Sequence, residues 1–432
     1  MADTSSVVVD TERFHKNPFL DKEISLIGDP FVGGPSSFLE RLKQGSTLLL
    51  ETLTRNVLEE NNRMPGDDDY SVYTGKSGVI LTYHWILSQN NQELLINPSI
   101  KKMLEDFVKE VMSGHLLRKK RITFLCGDAG PLIVAYLITN DSNQRTELLG
   151  RLLQLQDLVY AKGSSNRDRT PIPNELLYGR AGYLYSLLFL NQQFPQDPPL
   201  IPYALLSNLV SIIIEDGLRN NQRGNPPLHY EWHDKTYLGA AHGYVGILYV
   251  LLKARAYMKE EHVRHVKETL DWVMFHQFPS GNLRSSVGSK EDKLIHWCHG
   301  AAGAIFLFLE ASKVFEAEKE RYLSCTLACG GVIWTRGILK RSYSLCHGTA
   351  GNAYSLMALY KHTRDLIWLQ RSCLFSQWCF SWGNSTRQPD RPISLFEGLA
   401  GSVYMLHDFH NFLLHNGDGS GSTPKFPSFE LD

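Results

Sequence analysis

His296-Trp297-Cys298-His299-Gly300-Ala301-Ala302-Gly303 and Cys346-His347-Gly348-Thr349-Ala350-Gly351 carry one phrase twice: a thiol, an imidazole, then Gly-x-x-Gly. The glycine spacing recurs at Gly75–Gly78, Gly127–Gly130, Gly179–Gly182, Gly243–Gly246 and Gly398–Gly401. Copies roughly 50–60 residues apart mark a repeat architecture. The stretches after the glycines, such as Val79–Leu87, Ile247–Lys253, Ala304–Leu309 and Ala353–Leu359, are apolar on nearly all sides, as in helices buried on both faces. Between the copies lie Phe38–Glu59, Ile100–Met112, Glu147–Tyr160, Ala204–Asp216, Val263–Phe275, Arg321–Leu339 and Leu366–Trp382. Their apolar residues recur at three and four, and charges fill the other face, the pattern of a surface helix. No convincing long strand is present.

Each unit therefore reads as an amphipathic outer helix, a loop and an apolar inner helix. The glycines are expected to supply positive φ and close backbone approach. Seven such hairpins stack as an open solenoid or close into a ring, and closure explains why the inner helices are apolar throughout. The expected fold is all-α: a seven-fold α/α toroid with every Gly-x-x-Gly loop at one end. It forms a single domain over 1–432, with an N-terminal extension at 1–34 and a C-terminal tail at 416–432. The tail ends Phe426-Pro427-Ser428-Phe429-Glu430-Leu431-Asp432. Its aromatics predict docking onto the body, with its carboxylates near the site.

Bulk composition narrows the function. A net charge of −1 argues against broad attraction to nucleic acid or anionic membrane. No apolar run is long enough to span a bilayer, no secretory leader is evident, and Ala2 rules out the myristoylation motif. The seven cysteines form no disulfide-like pattern, so the chain reads as cytoplasmic with reduced thiols, a nuclear fraction being left open.

Alignment on the first glycine of each copy places Cys298 and His299 before Gly300, and Cys346 and His347 before Gly348. In a ring these copies are neighbours. Cys298, Cys346 and His347 then make a Cys₂His zinc site with one open position, the mark of a catalytic rather than a structural zinc. The alternative is a set of buried thiols and capping imidazoles, and Cys126 shows the same phase without an adjacent histidine. Cys325, Cys329, Cys373 and Cys379 read as core thiols. A free thiol has a pKa of about 8.5 and is mostly protonated at neutral pH. Zinc coordination supplies the thiolate, so the implied chemistry is attack by sulfur on an electrophilic carbon.

Nearly the whole chain resembles the lanthionine synthetase C-like family, most closely its eukaryotic branch. The resemblance rests on Arg13-Phe14 with Asn17-Pro18, Cys126-Gly127-Asp128-Ala129-Gly130, Glu175-Leu176-Leu177-Tyr178-Gly179-Arg180-Ala181-Gly182 and Gly239-Ala240-Ala241-His242-Gly243. It continues through His296–Gly300, Cys346–Gly348, Ser394-Leu395-Phe396-Glu397-Gly398 and the final Phe-Pro-x-Phe-Glu-Leu. The resemblance implies the toroid, catalytic zinc on Cys298, Cys346 and His347, and glutathione as co-substrate. It also implies addition of glutathione to dehydroamino acids left in proteins when phosphate is eliminated from phosphoserine or phosphothreonine. Carried over by position, the glutathione contacts are Arg13, Arg341 and the stretch Arg387-Gln388-Pro389-Asp390. Arg341 stands where the family often has lysine, which keeps the charge and changes its geometry. Bacterial cyclases carry an arginine and a tyrosine where Leu294 and His299 stand here, and an aspartate where Glu175 stands. Peptide cyclisation is therefore not expected.

The expected proton donor to the α-carbon is His242, because histidine titrates near working pH and the fourth copy borders the zinc sector. His296 and His299 are the alternatives. Glu175 and Asp128 either orient these groups or cap inner helices. Two competing functions stand beside the enzyme. One is a zinc- and glutathione-binding adaptor that holds a signalling protein. The other is a different toroid enzyme: a glycosidase using Glu175 and Glu397 leaves the zinc ligands unexplained, and prenyltransferases use a different ligand order.

Overall fold

The structure, a computed structural model, describes residues 8–20, 38–59, 69–89, 97–114, 121–160, 172–221, 224–381, 389–415 and 423–431. The outer helices are Phe38–Glu59, Pro98–Ser113, Ser142–Gln154, Tyr203–Arg219, Glu260–Met274, Lys319–Arg336 and Leu366–Trp378. The inner helices are Lys76–Ser88, Ala129–Ile138, Arg180–Gln193, Tyr244–Lys253, Ala301–Val314, Thr349–Thr363 and Leu399–His415. Each inner helix packs on the next, and the seventh packs on the first, so the chain closes into the expected toroid. The inner helices are apolar throughout because they are enclosed on both sides; in the fifth, every residue from Ala301 to Ser312 is buried. No helix among the described residues is long and apolar enough to cross a membrane.

A belt of main-chain hydrogen bonds ties the loops together, made by the residue two before each first glycine. Ala241 N–H donates to Cys298 O (3.4 Å), Cys298 to Cys346 (3.3 Å), Cys346 to Phe396 (2.8 Å), Phe396 to Tyr73 (3.0 Å) and Tyr73 to Leu125 (2.9 Å). The Phe396–Tyr73 bond joins the last copy to the first. The Thr123 hydroxyl carries the belt on to Leu177 O at 2.5 Å. Leu177 N–H turns aside to the Glu175 carboxylate instead.

Five inner helices begin at a glycine that offers no side-chain cap, and the second begins after Asp128, whose side chain makes no cap bond. Their first N–H groups are satisfied by the loop folding back: Lys76 to Asp69 O, Arg180 to Pro173 O, Tyr244 to Tyr237 O, Thr349 to Ser342 O and Leu399 to Pro392 O. The first glycine permits this closeness; a Cβ on Gly75 would lie 1.9 Å from Asp69 O. Positive φ, expected throughout these pairs, occurs in them only at Gly300, at 114°. There the fold-back is replaced, and Asn282 Oδ1 accepts from Ala301 N–H at 2.8 Å.

Two chain ends complete the ring. Val8–Val9 (β1) pairs in parallel with Glu291–Asp292 (β2), and the segment continues past Leu339, where His15 N–H donates to Ile338 O and Lys340 N–H to Arg13 O. The tail enters the ring's centre. Phe426 and Phe429 are fully buried against Trp297, Phe306 and Tyr249. Glu430 does not approach the loop end: it pairs with Lys361, near the C-terminal end of the sixth inner helix. Burying the two aromatics in the centre carries the carboxylate to the opposite side.

Candidate metal centre and ring mouth

The loop register sorts the side chains. Tyr73, Leu125, Leu177, Ala241, Cys298, Cys346 and Phe396, two before the glycines, are all buried. Thr74, Cys126, Tyr178, His242, His299, His347 and Glu397, one before the glycines, are all half-buried and form the crown of the mouth. Both sets follow from the belt: it points one residue into the ring wall and its successor toward the opening.

One ligand atom each from Cys298, Cys346 and His347 lies within 4.8 Å of the others. The Cys298–Cys346 main-chain bond brings the two thiols together, and His347 adds the crown nitrogen next to Cys346. Burial, with the second sulfur beside it, pushes the Cys346 thiol well above its ordinary value. Two sulfurs and an imidazole, with no carboxylate among them, are a donor set suited to zinc.

Three features surround this trio. Tyr73 donates its hydroxyl to Cys346 Sγ at 2.6 Å, and its ring stacks on Phe396 with centroids 4.7 Å apart. Burial, and then the two sulfurs, hold that phenol well above its ordinary value, so it keeps its proton. His296 is buried with Nδ1 4.0 Å from Cys298 Sγ, and burial followed by His347 holds it well below the usual histidine value. Arg341 and Arg13 act on His296 in the same direction. Arg13 also donates Nε to Asp10 at 2.7 Å, and Arg341 is exposed.

Beside the trio stand His242 and His299. His242 Nδ1 lies 2.8 Å from Glu175 Oε2, and Glu175 also accepts from Leu177 and Tyr178 N–H at 3.0 and 2.6 Å. The buried Glu175 thus both orients His242 and ties down its own loop. His242 lies nearly parallel to Tyr178 and Trp232, and Tyr237 stands between His242 and His299. Burial, and then His242, lower His299 to about 4. Asp128 precedes the second inner helix without capping it. It lines a cavity of about 210 Å³ with Tyr73, Arg121, Cys126, Tyr178 and Glu397.

Pro389 is half-buried and Asp390 exposed; Arg387 and Gln388 fall outside the described residues. Sequence reasoning missed Tyr73, Asn282 and the Tyr178–Trp232–Tyr237 wall. The signal for Tyr73 was available, since it occupies the register of the two cysteines.

Residues 49–413 match the family model described as lanthionine synthetase C-like protein. The chain is 41% identical over 385 residues to "Glutathione S-transferase LANCL1" of Danio rerio, covering 87% of this chain and 88% of that one. It is 31% identical over 425 residues to "LanC-like protein GCL1" of Arabidopsis thaliana, covering 93% of each. Among solved structures, nisin cyclase superposes with a TM-score of 0.60 at 16% identity, over 88% of this chain and 99% of that one, a likeness of fold.

Proposed function

Because the chain belongs to the lanthionine synthetase C-like protein family, we propose that its ring mouth adds glutathione to dehydroalanine and dehydrobutyrine residues in proteins, with zinc held by Cys298, Cys346 and His347. The observation that carries this reading is the meeting of three soft donors from two neighbouring loops within 4.8 Å. The relative called a glutathione S-transferase supports glutathione as the thiol.

Bound zinc would supply the glutathione sulfur as thiolate at neutral pH. The chain's own residues do the rest. Arg13 and Arg341 take the glutathione carboxylates, and Arg387, Gln388, Pro389 and Asp390 are further glutathione contacts by sequence position alone. Sulfur bonds to the β-carbon of the dehydroamino acid, the carbon–carbon π pair moves toward the carbonyl as an enolate, and His242 gives a proton to the α-carbon. Glu175 holds Nδ1 of His242, which leaves Nε2 as the working nitrogen. His296 and His299, disfavoured as cations by burial, are rarely protonated and so less suited to give the proton.

The test offers purified protein glutathione and a dehydroalanine peptide, and follows a mass gain of one glutathione alongside zinc content. Cys298→Ala, Cys346→Ala and His347→Ala are expected to lose both. Equal rates in all four proteins reject the reading. Wild-type protein that binds zinc and glutathione without any mass gain supports the adaptor role instead.

A further inference from the structure

We infer that Tyr73 is a positioning residue for the sulfur pair, whose hydroxyl makes Cys346 the weaker and Cys298 the stronger of two unequal thiolate donors. The inference rests on the metal reading above.

Tyr73 sits in the first copy and Cys346 in the sixth, two steps apart around the belt, with Phe396 between them. A short side chain at 73 would stop in the wall. The phenol spans the gap and directs its hydroxyl at Sγ. The Phe396 ring, inclined 20° to it, fixes its plane, and Tyr73 is 9% exposed. Phenylalanine would fill the same volume, so packing does not account for the oxygen. Cys298 has no comparable donor among the described residues; His296 Nδ1, at 4.0 Å, is too distant for a strong bond.

A hydrogen bond to a ligating sulfur draws charge away from the metal. Groups of this kind tune both the metal's acidity and its affinity. With Cys346 weakened, less of the dication's charge is cancelled, and a thiol in the fourth position gives up its proton more readily. Keeping Cys298 unassisted holds the ion in place.

Cobalt(II) uptake into metal-free protein tests this directly. Tyr73→Phe retains the ring and deletes the hydroxyl, so its sulfur-to-cobalt charge-transfer band is expected at longer wavelength than in wild type. Glutathione addition by the zinc form is expected to fall about tenfold. A second variant, Phe396→Leu, frees the Tyr73 ring and is expected to move the band in the same direction by less. If Tyr73→Phe binds cobalt and its band stays at the wild-type wavelength, the inference fails while the metal centre stands. Wild-type protein that takes up no cobalt overturns the metal reading, and this inference with it.

Discussion

Glu175 Oε2 lies 2.8 Å from Nδ1 of His242, and the same carboxylate holds two main-chain N–H groups of its own loop. The belt of inter-loop bonds is interrupted at the copy where this pair forms. Orientation of the imidazole has replaced one main-chain link in the ring.

His242→Gln is therefore expected to slow glutathione addition by about 100-fold or more, the range for losing a positioned acid. Glu175→Gln keeps one acceptor oxygen for the loop, turns an amide NH2 toward the other N–H and removes the charge, and is expected to lose part of that rate with a smaller drop in melting temperature than Glu175→Ala. Glu175→Ala strands the Leu177 and Tyr178 N–H groups and is expected to destabilise by about 1–3 kcal/mol. Initial rates by mass spectrometry and thermal melts separate the two effects. Wild-type rates in His242→Gln would exclude it as the proton donor.

The tail aromatics are predicted to hold the ring together. Phe429→Ala removes a fully buried ring that touches Trp297, Phe306 and Tyr249, and is expected to cost about 3–5 kcal/mol. Denaturant unfolding measures this, and a loss below 1 kcal/mol would contradict the packing described.

Glycine substitutions divide by position. Gly303→Ala drives a methyl to 2.2 Å from Trp297 O and 2.9 Å from Ala240 Cβ, so it is expected to disturb the Cys298 loop and lower zinc occupancy. Gly150→Ala, inside Ser142–Gln154 with nothing within 4 Å, is expected to stabilise by up to ~1 kcal/mol. Zinc content and melting temperature of the two proteins check both outcomes.

Stability is also expected to respond to pH through Asp408. Burial pushes its carboxyl up to about 7 from 3.8, against the opposing pull of the Tyr354 hydroxyl and Lys425 N–H. The folded state holds that proton more tightly than the unfolded chain. The contribution is therefore complete below pH 3.8 and lost as pH rises through about 7. Asp408→Asn cannot ionise, so its stability relative to wild type is expected to rise with pH across this window by up to ~1.4 kcal/mol per unit. Melts of both proteins at pH 5 and pH 8 read the difference directly, and a constant offset would refute it.

Much of this was legible in the chain. The Gly-x-x-Gly register gave the ring and the Cys298–Cys346–His347 meeting, because a repeat phase is a spatial coordinate once the ring closes. Reach was not legible: nothing in the spacing says that the Tyr73 side chain crosses Phe396 to a sulfur. Local geometry was also misjudged. Within the Gly-x-x-Gly pairs, close approach rather than positive φ explains the glycines except at Gly300, where Asn282 from a distant loop takes over the cap. The third outer helix begins at Ser142 because Asp141 caps it, a signal the apolar spacing alone passes over. The tail's aromatics were read correctly as docking residues, but their depth carried Glu430 to Lys361 at the other end.

That depth has a consequence for traffic. With Phe426 and Phe429 corking the bore, the toroid is a cup rather than a pipe. No polypeptide passes through it. On the proposed reaction, a modified protein would have to dip a loop or a terminus past the rim and withdraw it by the same route, so the reach of that segment, more than its length, would decide which proteins can be served.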